Sequence, residues 1–273
     1  MKISGQIAAF WRFHAKATNK YKVHSPFVYD LLTEVLEDDR YFQAFGMIAQ
    51  TRRELLQDNR TLQVTDYGAG SQTMGQKQRR VSEIAKNAAS SEAQGQTLFR
   101  LVNFCKPSTI LELGTSLGLG TLYLHHAKQS AQMISLEGCP ETAKVAAEVL
   151  RTRSNNHLKL ITGRFSETLP KAIEQLPTLD FVFFDGHHDG EATYQYFITC
   201  LEKARPESVF VFDDIHWSKD MEAAWQRICE HPRVRLSVET WDLGIVFFRE
   251  EQRQKEHFTM VPYLWKPWVI GLF

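Results

Sequence analysis

Cysteine is scarce in this sequence: Cys105, Cys139, Cys200 and Cys229 stand far apart, and no two form a C-x-x-C pair. That spacing argues against a disulfide framework and against a zinc site, and points to a reducing, cytoplasmic setting. An excess of charge of either sign is also missing. Lysine plus arginine total 32, as do aspartate and glutamate, so no overall field draws the chain to nucleic acid or an anionic membrane. No apolar run approaches the ~18 residues needed to cross a bilayer, so no membrane span is expected. The apolar stretch Ile7 to Trp11 is interrupted by Arg12 and His14 and has no small-residue cleavage site, unlike a secretory signal. Internal repeats and low-complexity segments are absent as well.

What is present is an ordinary globular composition. Apolar residues at 43% against charged residues at 23% are far from the signature of disorder, and 273 residues suit one core domain with an appended segment. The boundary is placed near Gly95. Residues 1–96 read as a helical N-terminal extension: Ile7, Phe10, Trp11, Phe13 and His14 fall at helical spacing, and a second amphipathic stretch follows the break at Ser25-Pro26. Within it, residues 66–80 carry Gly68, Gly70 and Arg79-Arg80 without periodicity and read as a long glycine-rich loop. Residues 250–273 form an aromatic tail that includes Trp265 and Trp268.

Between these, over residues 97–249, short apolar runs alternate with helical segments. The runs are 109–113, 133–136, 158–162, 181–184 and 209–212, and each predicts a buried parallel strand. Residues 234–241 and 245–249 flank Asp242-Leu243-Gly244 and predict an antiparallel hairpin that closes the sheet. The expected fold is α/β, a Rossmann-like sheet of seven strands, five parallel plus the hairpin.

In an open parallel sheet, ligands bind beyond the carboxyl ends of the strands. The first strand ends in Glu112-Leu113-Gly114-Thr115-Ser116-Leu117-Gly118, a turn in which backbone can approach a ligand closely and aim free N–H groups at it. Its G-x-x-x-G-x-G spacing differs from the G-x-G-x-x-G of dinucleotide dehydrogenases, and Glu112 would repel a pyrophosphate. A cationic sulfonium ligand with an ammonium group would be favoured there. The second strand ends in Glu137, 23 residues past Gly114, where a carboxylate can accept from both hydroxyls of a ribose. The third ends in Gly163-Arg164-Phe165-Ser166, which can border an adenine.

Glu112, Gly114 and Gly118, then Glu137, then Gly163 resemble, in order and over about 150 residues, the cofactor motifs of class I S-adenosylmethionine-dependent methyltransferases. The resemblance implies that Gly114, Thr115, Ser116 and Gly118 hold the methionyl part of S-adenosylmethionine, that Glu137 binds the ribose, and that Phe165 and Ser166 border the adenine. It implies a transferase of methyl groups.

The next two strand ends carry Asp185-Gly186-His187-His188-Asp189 and Asp213-Asp214-Ile215-His216-Trp217. Acids so placed after buried strands need a cation or donor to compensate them, and Asp185, Asp213 and Asp214 together would suit magnesium, manganese or calcium better than zinc. The pattern is similar to that of metal-dependent O-methyltransferases of the catechol O-methyltransferase type, whose acids bind Mg2+. It departs in two places: the pair is Asp-Asp rather than Asp-Asn, and His188 stands where that family has its catalytic lysine. The Asp-Gly-x-His stretch also resembles a group of class I methyltransferases in which a metal is not assured. The expected reaction is O-methylation of a small or medium-sized hydroxylated molecule, with Asp185 in the site and His188, or else His187, as base, since an imidazole titrates near ~6.5. Rival functions are a metal-dependent phosphoesterase using the Asp and His cluster, and a non-catalytic cofactor-binding protein on the same fold. The N-terminal helices and aromatic tail are compatible with a homodimer.

Overall fold

The computed structural model describes residues 3–65, 77–87, 90–251 and 254–266. The glycine-rich stretch Asp66 to Ser71 and Trp268 lie outside the described residues. In chain order the helices are α1 (Ile3–Lys16), α2 (Pro26–Leu31), α3 (Gln43–Leu56), α4 (Val81–Asn87), α5 (Glu92–Cys105), α6 (Leu119–Ala127), α7 (Pro140–Arg151), α8 (Phe165–Gln175), α9 (Gly190–Leu201) and α10 (Lys219–Glu230). The strands are β1 (Thr61–Val64), β2 (Lys77–Arg80), β3 (Thr109–Leu113), β4 (Gln132–Glu137), β5 (Leu158–Thr162), β6 (Phe181–Phe184), β7 (Val209–Asp213), β8 (Leu236–Glu239), β9 (Leu243–Phe247) and β10 (Glu256–Thr259). None of the described helices is long and apolar enough to cross a membrane.

By its contacts the chain divides into two compact units, residues 40–187 and residues 1–39 with 188–273; Gly95 lies inside α5. In the first unit, β6, β3, β4 and β5 pair in that order, all parallel. Every residue of β3 and β6 is buried, as befits apolar strands covered on both faces, whereas the edge strand β5 is half open. Ser91 starts α5 by accepting from the Gln94 amide, and Pro140 starts α7 at a position where no backbone N–H is needed. A second core of Phe45, Ile48, Leu98-adjacent Phe99, Leu122 and Tyr123 packs α3 and α5 on α6. The segment expected as a loop over 66–80 ends in β2, which pairs antiparallel with β1. Its Lys-Gln-Arg-Arg sequence has no apolar alternation to announce a strand.

In the second unit β7 and β9 are antiparallel, β8 and β9 are antiparallel, and β10 adds parallel to β8. The antiparallel hairpin expected over 234–249 is present as β8 and β9, but Leu243 and Gly244, read as part of its turn, begin β9. With β10 the two units hold eight strands of this type against the seven expected from sequence, the extra strand coming from the segment read as a tail. β10 continues into a single parallel bridge between Thr18 and Met260. The Lys266 ammonium donates to the carbonyls of His14 and Ala17 at the end of α1, and Asn19 donates its side-chain amide to the Lys266 carbonyl at 2.9 Å. Cations suit the last turn of a helix, where carbonyls lack partners.

Candidate functional site

The turn from β3 to α6 is built by backbone. The amides of Gly114 and Thr115 both donate to the Leu136 carbonyl, at 2.9 and 3.1 Å. Gly114 has φ +109°, and a Cβ there would lie 2.1 Å from the Asp185 carbonyl oxygen. Only glycine can occupy that point, because any side chain would collide with backbone. Gly118 follows at φ +86° and opens α6 without a side-chain cap. Ser116 sits in the left-handed region at φ +50°, a conformation that non-glycine residues hold only when their surroundings impose it.

Two acids frame this turn. Glu112 is 1% exposed; one of its oxygens, Oε2, accepts from Thr121 Oγ1 at 2.6 Å and Ser135 Oγ at 2.5 Å. The other, Oε1, is buried with no hydrogen-bond partner. Burial pushes its carboxyl up to about 7 against the pull of Ser135 and Thr121. Glu137 accepts from the Ser116 amide at 2.8 Å through Oε2 and from the Cys139 amide at 2.9 Å through Oε1. Burial raises this carboxyl too, while the backbone amides act the other way. Each carboxylate oxygen has a second lone pair, so Glu137 can serve the turn and still accept from a ligand hydroxyl. The Thr115 hydroxyl is 2.5 Å from Ser135 Oγ and so joins the network that holds Glu112. Ser135 is the member that sequence reasoning missed: as one polar residue in a buried strand, it gives no signal without its two neighbours.

Beyond β5, Gly163 donates its amide to the Glu137 carbonyl at 2.9 Å with φ +145°. Phe165, the first residue of α8, is buried and packs its ring on Gly186, with its centroid 6.5 Å from that of His187. Ser166 is exposed. Asp185 donates its amide to the Leu113 carbonyl at 2.8 Å, which fixes the loop after β6 against the turn after β3. Glu112, Gly114, Thr115, Ser116, Gly118, Glu137, Gly163, Phe165 and Asp185 therefore all belong to the unit of residues 40–187.

The second set of residues belongs to the other unit. His188 Nδ1 lies 3.5 Å from Asp214 Oδ2, and both side chains are about two-fifths exposed. His188 (φ +37°) and Asp214 (φ +53°) both hold left-handed backbone, as does His187 at φ +81°. Such non-glycine residues cluster at functional sites. The Asp214 amide donates to Asp213 Oδ1 at 2.9 Å and to the Asp242 carbonyl at 3.1 Å, which pins the bend. Burial raises the Asp214 carboxyl, and His188 opposes it. Asp242, read from sequence only as a hairpin turn, is raised by burial and then by Asp214. Asp189, last of the Asp-Gly-His-His-Asp run, caps α9 by accepting from the Ala192 amide at 2.9 Å. Ser218 caps α10 by accepting from the Met221 amide.

The metal expectation was Asp185, Asp213 and Asp214. Among the described residues no group of three or more His, Cys, Asp or Glu is placed to hold a metal ion. Asp213 already spends an oxygen on the next residue's amide.

A family model described as a methyltransferase domain matches residues 111–215. A catechol O-methyltransferase from Niastella koreensis is 30% identical over 118 residues, which make up 42% of this chain and 52% of that protein, so the chain spans about half the length of this curated relative. Among solved structures, an SAH-bound methyltransferase from Podospora anserina is similar with a TM-score of 0.58 at 15% identity, covering 84% of this chain and 98% of that one. An O-methyltransferase from Bacillus cereus in complex with SAH is similar with a TM-score of 0.53 at 18% identity, covering 80% of this chain and 99% of that one. In sequence over residues 111–215 this chain thus matches a methyltransferase domain, and in fold it is Rossmann-like in the manner of the O-methyltransferases.

Proposed function

We propose that the protein is an S-adenosylmethionine-dependent O-methyltransferase acting on a small or medium-sized hydroxylated molecule. The observation that carries this reading is the pair of acids at the glycine turn: Glu112 buried with one unpartnered oxygen, and Glu137 on the Ser116 amide. Such a turn suits a ligand that combines positive charge with ribose hydroxyls, and it disfavours a pyrophosphate. S-adenosylmethionine supplies an electrophilic methyl group on a sulfonium. Glu112 answers the positive charge, Glu137 accepts from the ribose hydroxyls, and Phe165 borders the adenine.

His188 is the proposed base. Because its Nδ1 faces Asp214, the tautomer with the proton on Nδ1 is favoured, and Nε2 is left to take the proton of the acceptor hydroxyl. As the O–CH3 bond forms the S–CH3 bond breaks, and the electron pair stays on sulfur. Asp214 orients the imidazole and compensates its charge. The phosphoesterase alternative needs clustered metal ligands, which the described residues do not provide.

Calorimetric titration with S-adenosylmethionine and S-adenosylhomocysteine, on wild type and Glu137→Ala, tests the reading. Micromolar binding lost in the variant is the expected result. A folded wild-type chain that binds neither ligand would overturn it.

A further inference from the structure

Within the unit of residues 1–39 and 188–273, a cavity of about 430 Å³ lies among α1, α10, β8 and β10. Small-molecule sites span roughly 300–1,000 Å³, so a single substituted ring fits. Each element contributes one face at its own period. From α1 come Ala9, Arg12, Phe13 and Lys16, and from α10 come Glu222, Trp225, Gln226 and Cys229, both sets spaced i, i+3, i+4, i+7. The strands contribute Ser237 with Glu239 and His257 with Thr259, which share a face because His257 is in register with Ser237 and Thr259 with Glu239.

Most polar groups of the cavity are already engaged. Glu239 accepts from Trp225 Nε1 at 2.7 Å and Thr259 Oγ1 at 2.9 Å, and lies 3.7 Å from His257 Nε2. Burial would raise its carboxyl, but these partners hold it at about 2. Ser237 Oγ is 2.8 Å from His257 Nδ1. The Lys255 ammonium donates to the carbonyls of Cys229 and His231 at 2.9 Å each.

Arg12, Lys16, Gln226, Glu230 and His216 are left over, and the two cations and the imidazole are the groups that can recognise a guest. Arg12 and Lys16, both exposed on α1, have no hydrogen-bond or ion-pair partner among the described residues. His216 is stacked on Trp241 (centroids 5.1 Å apart, planes at 17°) and meets Phe13 edge-on at 5.5 Å. Both of its ring nitrogens are buried without a hydrogen-bond partner, and the carboxylate of Glu222 stands 3.5 Å from Nδ1. Glu222 favours the tautomer protonated on Nδ1, so Nε2 is an acceptor in need of a donor. Glu230, exposed on α10, also lines the cavity and opposes a guest with more than one negative charge.

We propose that this cavity binds a small ring-bearing monoanion that also carries a hydroxyl. The anion pairs with Arg12 and Lys16, the hydroxyl donates to His216 Nε2, and the ring lies against Phe13 and Trp225. The site does not rest on the methyl-transfer reading, and it stands even if residues 40–187 bind no cofactor.

The test is calorimetric titration of the full chain with 4-hydroxybenzoate, cofactor absent. One-site binding is expected, with benzoate (no hydroxyl) and phenol (no charge) each at least ~10-fold weaker. The exposed double change Arg12→Ala, Lys16→Ala weakens 4-hydroxybenzoate by ~10-fold or more and leaves phenol unmoved. His216→Phe, which keeps the aromatic stack, removes the preference over benzoate, and Glu230→Gln tightens binding. No binding at millimolar 4-hydroxybenzoate would overturn the proposal. So would a double variant that binds as tightly as wild type, a result that does not depend on whether His216→Phe folds.

Discussion

The acids at residues 112 and 137 and those at residues 213 and 214 stand alike at or next to the carboxyl ends of strands, yet they are held in opposite ways. Glu112 is 1% exposed and locked by two hydroxyls, and Glu137 is bound by two amides. Asp214 is 40% exposed in its side chain, and His188 Nδ1 lies 3.5 Å from its carboxylate. The first pair is preorganised by hydrogen bonds, as a cradle must be if it is to spend little on ordering when a ligand arrives. In the second pair the bend is pinned by backbone, with Asp214 and its neighbour His188 both in the left-handed region and the Asp214 amide on Asp213 Oδ1, while the Asp214 side chain stays partly exposed towards an acceptor. Binding and chemistry should therefore fail separately.

The sharpest way to break that distinction is His188→Gln. Loss of a positioned base should lower kcat with a catechol-like acceptor by ~10²–10⁴-fold, with S-adenosylhomocysteine affinity within a factor of about two. If cofactor affinity fell in step with kcat, the two sets of residues would not be separable. Glu137→Ala is the converse experiment: affinity for S-adenosylhomocysteine should fall by ~100-fold, since hydrogen bonds to a charged group contribute about 1.5–3 kcal/mol each. Glu137→Gln, which keeps an acceptor for one amide, should melt near wild type and bind at an intermediate strength.

Glu112 sharpens the contrast through pH. Burial holds its carboxyl at about 7 in the folded chain, against an ordinary value of about 4.5. The folded state therefore holds the proton over a range where the unfolded chain has lost it, and stability falls as pH rises from about 4.5 to 7. Glu112→Gln should remove about 2–3 kcal/mol of that dependence, read as flatter denaturant midpoints between pH 5 and pH 8. A cationic ligand at this carboxylate should also release a proton near pH 7, visible as a binding enthalpy that varies with the buffer. The smallest effect is expected for Asp214→Asn. A half-exposed contact between a carboxylate and an imidazole contributes up to about 1 kcal/mol, so kcat should fall roughly 5-fold with cofactor affinity unmoved.

Strands β3, β5 and β6 are legible in the sequence at their observed bounds, and β4 and β7 to within a residue, because buried parallel strands are short apolar runs with helical stretches between them. The strands β2 and β10 are not legible: four residues at an edge, with charged or aromatic side chains, carry too little alternation. Glu137 and the glycine turn could be read from their place after strands. The left-handed backbone of Ser116, His188 and Asp214 could not, since nothing in a serine, histidine or aspartate demands it and only the surroundings impose it. The cavity around His216 was equally hidden. Its walls come from α1 and from three elements, α10, β8 and β10, that lie more than two hundred residues further along the sequence.

The tie between the end of α1 and Lys266 bears on how the chain is made. Residues 40–187 are contiguous and can condense as soon as they leave the ribosome. The first helix cannot: the groups that close its last turn, Lys266 and the bridge of Thr18 to Met260, are synthesised only about 250 residues later. At ~5–20 residues per second, α1 waits on the order of ten seconds or more for its partners, with Phe13 and Ala17 uncovered meanwhile. Premature termination after β9 should therefore leave a nascent chain in which α1 is the first target for chaperones.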